Sequence, residues 1–247
     1  MISRSAATDE RPSVERSLAY RLLRYVWRRT DPRLRDAVLV AAGIARNAPT
    51  RWLGRPDYRR WASPSGLDGW WNERTMMLAG LVPAGSRVIE FGAGRRQLET
   101  FLPAACRYTP SDLVDRGAGT IVCDLNRRPL PDLSRVAPEV AVFGGVLEYV
   151  RDVPALLRWL AGAGVTTCVA SFDVVPQGLG IIGQLRESAR RSYNGYVTDL
   201  REAQLLRAFE TAGFTCTERR TCTMPNPRWS SQIILQFRRQ PRAAERA

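Results

Sequence analysis

The chain predicts an α/β fold: a doubly wound, mostly parallel seven-stranded sheet with an antiparallel C-terminal hairpin strand, preceded by an N-terminal helical extension. Three observations carry this expectation. From about residue 85 to 175, apolar strand-like runs alternate with stretches of helical periodicity, the pattern of parallel strands joined by crossovers. The last two strand-like runs are separated only by the region around Pro225-Asn226-Pro227, which suits an antiparallel pair at one edge. A chain of 247 residues that is 45% apolar can also bury a full core without staples.

The elements follow in order. Residues 1–68 form a basic, Trp-rich extension: up to Arg60 arginines outnumber acids by more than two to one, and five of the seven tryptophans precede Asn72. Within it Val14, Leu18, Leu22, Tyr25 and Val26 recur at helical spacing, with Arg16, Arg21, Arg24 and Arg28 around them, a basic amphipathic helix. After Asp31-Pro32, a helix start, Leu34, Ala37, Val38, Ala41 and Ala45 repeat the pattern over 33–46. Such helices either cap a neighbouring domain or meet a membrane surface or nucleic acid; capping is the reading adopted, because most amphipathic helices bury their apolar face. Residues 69–238 then form the main domain. Strands are expected near 87–91, 107–110, 119–123, 139–143, 165–172, 214–222 and 231–238, with helices near 70–82, 95–102, 152–162 and 199–212. The tail 239–247 is polar, arginine-rich and expected to be disordered.

Composition excludes several chemistries. With no histidine, the chain has no imidazole ligand or base, so most zinc hydrolases and the Ser-His and Cys-His nucleophiles drop out. No lysine occurs either, which removes lysine Schiff bases and the lysine-dependent phosphate loop; all 37 basic residues are arginines. The net charge of +13 permits acidic partners without choosing among them, and wholesale arginine usage reads as compositional bias. Five cysteines with no C-x-x-C pair indicate neither a disulfide framework nor a metal site. No apolar stretch is long enough to offer a membrane span, and the opening MISRSAATDERP lacks the apolar run of an export signal, so the location is read as cytoplasmic.

Chemistry concentrates at the strand ends. Val88-Ile89-Glu90-Phe91-Gly92-Ala93-Gly94 is a buried strand that closes on a carboxylate and two glycines before a helix, a loop able to approach a ligand closely at the carboxyl edge of a sheet. A nicotinamide fingerprint would need a third glycine where Gln97 stands. Asp112 follows at the end of the second strand, where a carboxylate can accept from a ribose diol. Next in order, Cys123-Asp124-Leu125-Asn126 closes the third strand and offers an acceptor for an exocyclic amine and an apolar cover for a ring. The fourth strand runs into Phe143-Gly144-Gly145-Val146-Leu147-Glu148-Tyr149.

In this order and spacing VIEFGAG, YTPSD, TIVCDLN and VAVFGGVLEYV resemble the cofactor half of the class I S-adenosylmethionine (SAM)-dependent methyltransferases, over about residues 70–175, and YVTDLREAQLLRAFETAGF resembles the family's later part. The resemblance implies a SAM-binding enzyme. It implies that Glu90, Gly92, Ala93 and Gly94 surround the methionine portion, Asp112 the ribose, and Asp124 with Leu125 the adenine, while Phe143 and Gly144 flank the methyl group. Leu147-Glu148-Tyr149 resembles a Leu-Glu-His triplet with tyrosine in the last place, and Arg96 stands where the family has a third glycine. A base for a hydroxyl acceptor is sought among Glu148, Tyr149, Tyr193, Asp173 and Tyr196, with Glu148, Tyr149 and Tyr193 preferred. Residues 174–198 and the Trp-rich extension are the expected acceptor wall or lid; Arg186, Arg190 and Arg191 either grip an anionic acceptor there or form a solvated helical face, the latter preferred.

The acceptor is expected to be a small molecule or glycan, methylated on O or N, with no metal. RNA methylation through the arginine surface is the alternative, and the absence of an Asn-Pro-Pro-Tyr-like tetrad at Gly144-Gly145-Val146-Leu147 weighs against base amines. A non-catalytic SAM-binding interaction domain is the third reading. Oligomeric state is left open.

Overall fold

The computed structural model describes residues 29–54, 57–63, 71–223 and 232–239. The expected helix over 14–28, the boundary near 68, the turn at 225–227 and the tail beyond 239 lie outside these residues. In chain order the elements are α1 (Pro32–Trp52), α2 (Tyr58–Ala62), α3 (Asn72–Ala79), β1 (Arg87–Phe91), α4 (Gln97–Phe101), β2 (Arg107–Asp112) and β3 (Ile121–Val122). There follow β4 (Val140–Gly144), a 3-10 turn (Leu147–Tyr149), α5 (Val153–Gly162), β5 (Thr167–Phe172), α6 (Ile181–Asn194), α7 (Glu202–Thr211), β6 (Phe214–Cys222) and β7 (Gln232–Arg239).

The seven strands form one sheet in the order β3-β2-β1-β4-β5-β7-β6. Strands β1 to β5 pair in parallel; β7 runs antiparallel between β5 and β6. The expected hairpin strand thus lies inside the sheet, and β6 takes the edge. Helices cover both faces, which is why the central strands read as near-continuous apolar runs, every residue of β5 being buried. One face packs Ile89, Phe143 and Phe237 against Leu156, Leu160 and Phe209 of α5 and α7. The other packs Val88, Val142 and Ile234 against Leu78 of α3 and Leu98 of α4. Helix α5 starts where Asp152 accepts the Ala155 N–H at 2.8 Å, a cap visible in Asp152-Val153-Pro154.

Two differences from the sequence reading concern the elements beside the cleft. Residues 174–198 are not only a connection: they contain α6, fourteen residues long and closed by Gly195 at φ +73°. Its amphipathicity is reversed, with Ile181, Ile182 and Leu185 exposed and Arg191 buried. Helix α1 is longer than expected and packs on α6 through Gly43, whose missing side chain makes room for the Tyr193 ring, and through Asn47, which donates to the Tyr193 carbonyl at 2.7 Å. Leu34 and Val38, read as part of a buried face, are exposed. Among the described residues no helix is long and apolar enough to cross a membrane, and no cluster of metal-ligating side chains occurs.

Candidate functional site

The order of the sheet reverses at β1, whose neighbours are β2 on one side and β4 on the other, and a cleft opens at the carboxyl ends of these strands. Leaving β1, the chain turns through Gly92 at φ +71° and Gly94 at φ +51°. A Cβ on Gly92 would lie 2.5 Å from Val146 Cγ2, so glycine is required there by both conformation and space. The loop is pinned to β2 by Ala93 N–H to the Ser111 carbonyl at 3.0 Å and by Gly94 N–H to Asp112 Oδ2 at 2.7 Å. Arg96, in the third-glycine place, takes φ +58°; its side chain points away from the cleft, pairing with Glu99 and donating to the Ala118 carbonyl at 3.1 Å.

Three carboxylates line the cleft. Asp112, at the tip of β2, is buried; beside Gly94 it accepts from the Leu113 N–H at 2.6 Å and from Arg116 Nε at 3.2 Å. Asp124 accepts the Asn126 N–H at 2.9 Å and pairs with Arg127 at 3.3 Å, the geometry of an Asx turn, with the neighbouring Leu125 buried. Asn126 donates to the Tyr149 carbonyl at 2.8 Å and accepts the Arg151 N–H at 2.8 Å, joining the loops after β3 and β4. Glu90 is buried and accepts from the Tyr108 hydroxyl. Burial pushes its carboxyl up to about 8, against the opposing pull of Tyr108 and the Arg74 guanidinium.

Arg74 is a cleft residue that sequence reasoning missed. It sits on α3, buried, over the Trp71 ring at 5.1 Å and beside Gly144 and Gly145, and it donates to Gln232 Oε1 at 3.3 Å. Its Nε has no hydrogen-bond partner, and burial lowers its pKa while Glu148 and Glu90 oppose the shift. The available signal was its position one turn before Leu78, on the face that α3 buries. Trp61 and Trp71 also line the cleft, Trp61 edge-on to Tyr149 at 5.1 Å.

Of the sequence-predicted cofactor residues, Glu90, Gly92, Ala93, Gly94, Asp112, Asp124, Leu125 and Gly144 all line this one cleft. Phe143 does not: its ring points into the core and stacks on Phe91 at 5.1 Å. The base candidates fare differently. Tyr149 and Tyr196 line the cleft with their rings, but their hydroxyls point away, to the Asn194 carbonyl at 3.2 Å and to Asp173 Oδ2 at 3.1 Å, and burial raises the pKa of both phenols. Glu148 is sealed beneath the cleft, accepting the Asp173 N–H at 2.8 Å; burial pushes it up to about 7. Tyr193 faces α1 and not the cleft. Asp173 is held in a fork by Arg190 at 2.6 and 2.9 Å. Arg191, read as part of a solvated face, is buried and binds Asp199 and the carbonyls of Asp173 and Thr198 at 2.7–2.8 Å. Both arginines brace the fold because α6 carries their charges inward, where Asp173 after β5 and Glu187 on the helix itself meet them.

No protein-family model and no curated protein sequence matches the chain. Solved structures do match in shape. A Nostoc punctiforme protein provisionally named an O-methyltransferase aligns over 81% of this chain and 69% of its own, with a TM-score of 0.55 at 13% identity. Magnesium protoporphyrin IX methyltransferase from Synechocystis, holding S-adenosylhomocysteine (SAH), aligns over 74% and 94%, with a TM-score of 0.51 at 16% identity. The [4+2]-cyclase SpnF aligns over 68% and 80%, with a TM-score of 0.50 at 13% identity. The fold is therefore that of the class I SAM-dependent methyltransferases.

Proposed function

We propose that the chain is a SAM-dependent methyltransferase that moves a methyl group to an O or N atom of a small-molecule or glycan acceptor. The observation that carries the reading is convergence: the glycine loop after β1 and the carboxylates ending β2 and β3 line one cleft, and Gly94 is bonded directly to Asp112. The donor set fits the zwitterion, diol and purine of SAM. Arg74, with an unpartnered buried Nε, would take the methionine carboxylate, and Glu90 the ammonium. Asp112 Oδ1 keeps capacity for a ribose hydroxyl, and Leu125 would cover the adenine. Asp124 offers that ring its remaining oxygen capacity, since its Asx turn uses one N–H bond.

When bound, SAM supplies a methyl already activated on a sulfonium. The chain's own task is to align acceptor and donor and to exclude water; SAH and the acceptor's proton would then leave. Trp61, Trp71, Tyr149 and Tyr196 form the wall available to the acceptor. Because both tyrosine hydroxyls and Glu148 are turned from the cleft, positioning rather than a protein base is expected to supply most of the rate. The cyclase among the structural neighbours shows that this fold also carries other reactions, so turnover must be measured. Incubation with methyl-labelled SAM and fractionated cell extract tests the reading. Label transfer to a small-molecule or glycan fraction is the expected result; SAM binding without transfer to any fraction would reduce the chain to a binding domain, and transfer to RNA would replace the acceptor class.

A further inference from the structure

The Arg116 guanidinium joins two separate parts of the chain. Its Nε donates to Asp112 Oδ2 at 3.2 Å, its Nη1 to the Ala62 carbonyl at 3.2 Å, and its Nη2 to the Trp61 carbonyl. The ion pair is buried, the Arg116 side chain being 8% exposed and that of Asp112 6%. Trp61 and Ala62 end α2, where carbonyls lack intrahelical partners. That helix has five residues and buries none of them, so it has little stability of its own. Its other moorings include Arg60 to the Asn194 carbonyl at 3.3 Å, Tyr58 to the Leu113 carbonyl at 3.4 Å, the Trp61 ring on Tyr149 and Trp71, and Arg46 on its N-cap Asp57 at 3.8 Å.

We propose that Arg116 is a positioning residue that docks α2 as a cap over the cleft and orients the Asp112 carboxylate in the same contact, so that seating the cap and presenting the carboxylate are one event. The proposal rests on the reading that Asp112 receives the cofactor's diol. The buried cation compensates a carboxylate that is taken out of water at the cleft wall. Only a planar fork serves one carboxylate and two carbonyls from fixed directions; an ammonium on a flexible stem offers no such geometry. Trp61 is then carried onto Tyr149 by the same contact, which ties the wall proposed for the acceptor to the crevice proposed for the cofactor.

The full-length chain and its R116Q and R116K variants decide the matter by two measurements, hydrogen exchange of residues 57–63 without ligand and calorimetric titration with SAH. Both variants should exchange that segment at least about tenfold faster and bind SAH about tenfold or more weakly, the loss expected for a buried charged hydrogen bond, while β5 keeps its wild-type protection. Unchanged exchange at 57–63 in R116Q overturns the docking role. Restoration of both protection and affinity by R116K shows that charge alone suffices and overturns the fork. Faster exchange with unchanged SAH affinity overturns the coupling. If wild-type chain does not bind SAH, the SAM reading falls, and cap docking is still decided by the exchange of the unliganded protein.

Discussion

On one wall of the cleft, formed by the ends of β1, β2 and β4, positions are set by the backbone: glycines at positive φ, a parallel register, and N–H groups turned onto Asp112. On the facing wall, where Trp61 of α2 and Tyr196 just after α6 line the cleft, positions are set by arginines reaching across the chain. Arg51 donates to the Tyr196 carbonyl at 3.1 Å and pairs with Asp199; Arg60 reaches Asn194, Arg191 reaches Thr198, and Arg116 reaches α2. A backbone-built wall tolerates change in most side chains and fails when a glycine or strand end is altered. An arginine-built wall concentrates its stability in a few groups, each costly to lose because its buried partners are left unpaired.

The largest effect should therefore come from the arginine wall. Arg191→Met leaves the carbonyls of Asp173 and Thr198 without their donor and Asp199 with Arg51 alone, and is expected to destabilise the fold by about 1–3 kcal/mol for each of the two carbonyls left unsatisfied. Chemical denaturation measures it, and a change under about 1 kcal/mol, no more than a surface ion pair is worth, would erase the contrast between the walls. Next in size, Asp112→Ala should weaken SAM binding at least about tenfold, from the roughly 1.5–3 kcal/mol of a charged hydrogen bond, with a smaller loss of stability. An unaltered dissociation constant by calorimetry would remove Asp112 from the site.

Glu90→Gln sharpens the comparison through pH. Between its ordinary value of 4.5 and about 8 the unfolded chain has lost the Glu90 proton while the folded chain keeps it, so this group lowers stability as pH rises through that window. The variant should have a flatter pH–stability profile and be more stable than wild type at pH 8 by at least about 1.4 kcal/mol, the equivalent of one tenfold step in proton affinity. Parallel profiles for the two proteins would show that burial does not hold this proton. The smallest effect is reserved for Tyr149→Phe, whose lost hydroxyl serves only the Asn194 carbonyl. A stability loss of about 1 kcal/mol and turnover within about twofold of wild type are expected; a drop of about a hundredfold in kcat, the least that a general base contributes, would restore Tyr149 as a base.

The same contrast explains what could be read from the residues alone. Strands β1 and β6 match their expected bounds, and the others fall within a few residues, because burial on both sheet faces writes an apolar run into the chain. Eight of the nine expected cofactor residues share the cleft for a related reason: glycine loops and strand-end carboxylates leave local signatures. Phe143 lies apart from them because period-two alternation turns its side chain inward while its neighbour Gly144 meets the cleft. Helix α6 was illegible because Ile181, Ile182 and Leu185 face outward while Arg191 is buried, the reverse of the rule used to find helices. Arg74 and Arg116 escaped, and Arg191 was read as solvated, because the partner of a buried arginine can lie in a distant element, as Gln232 does for Arg74, and no spacing rule reaches that far.

Strand β7 comes last in the order of the sheet's elements along the chain and yet is bordered on both sides, by β5 and by β6. It also supplies Gln232, which steadies Arg74 in the cleft, and Gln236, which holds the Leu81 carbonyl beyond α3. The cleft is thereby completed by a segment at the opposite end of the domain's sequence from the glycine loop. A nascent or truncated chain missing β7 would lack both a sheet neighbour for β6 and a finished pocket, so capture on an immobilised SAH analogue would sort completely folded molecules from unfinished ones.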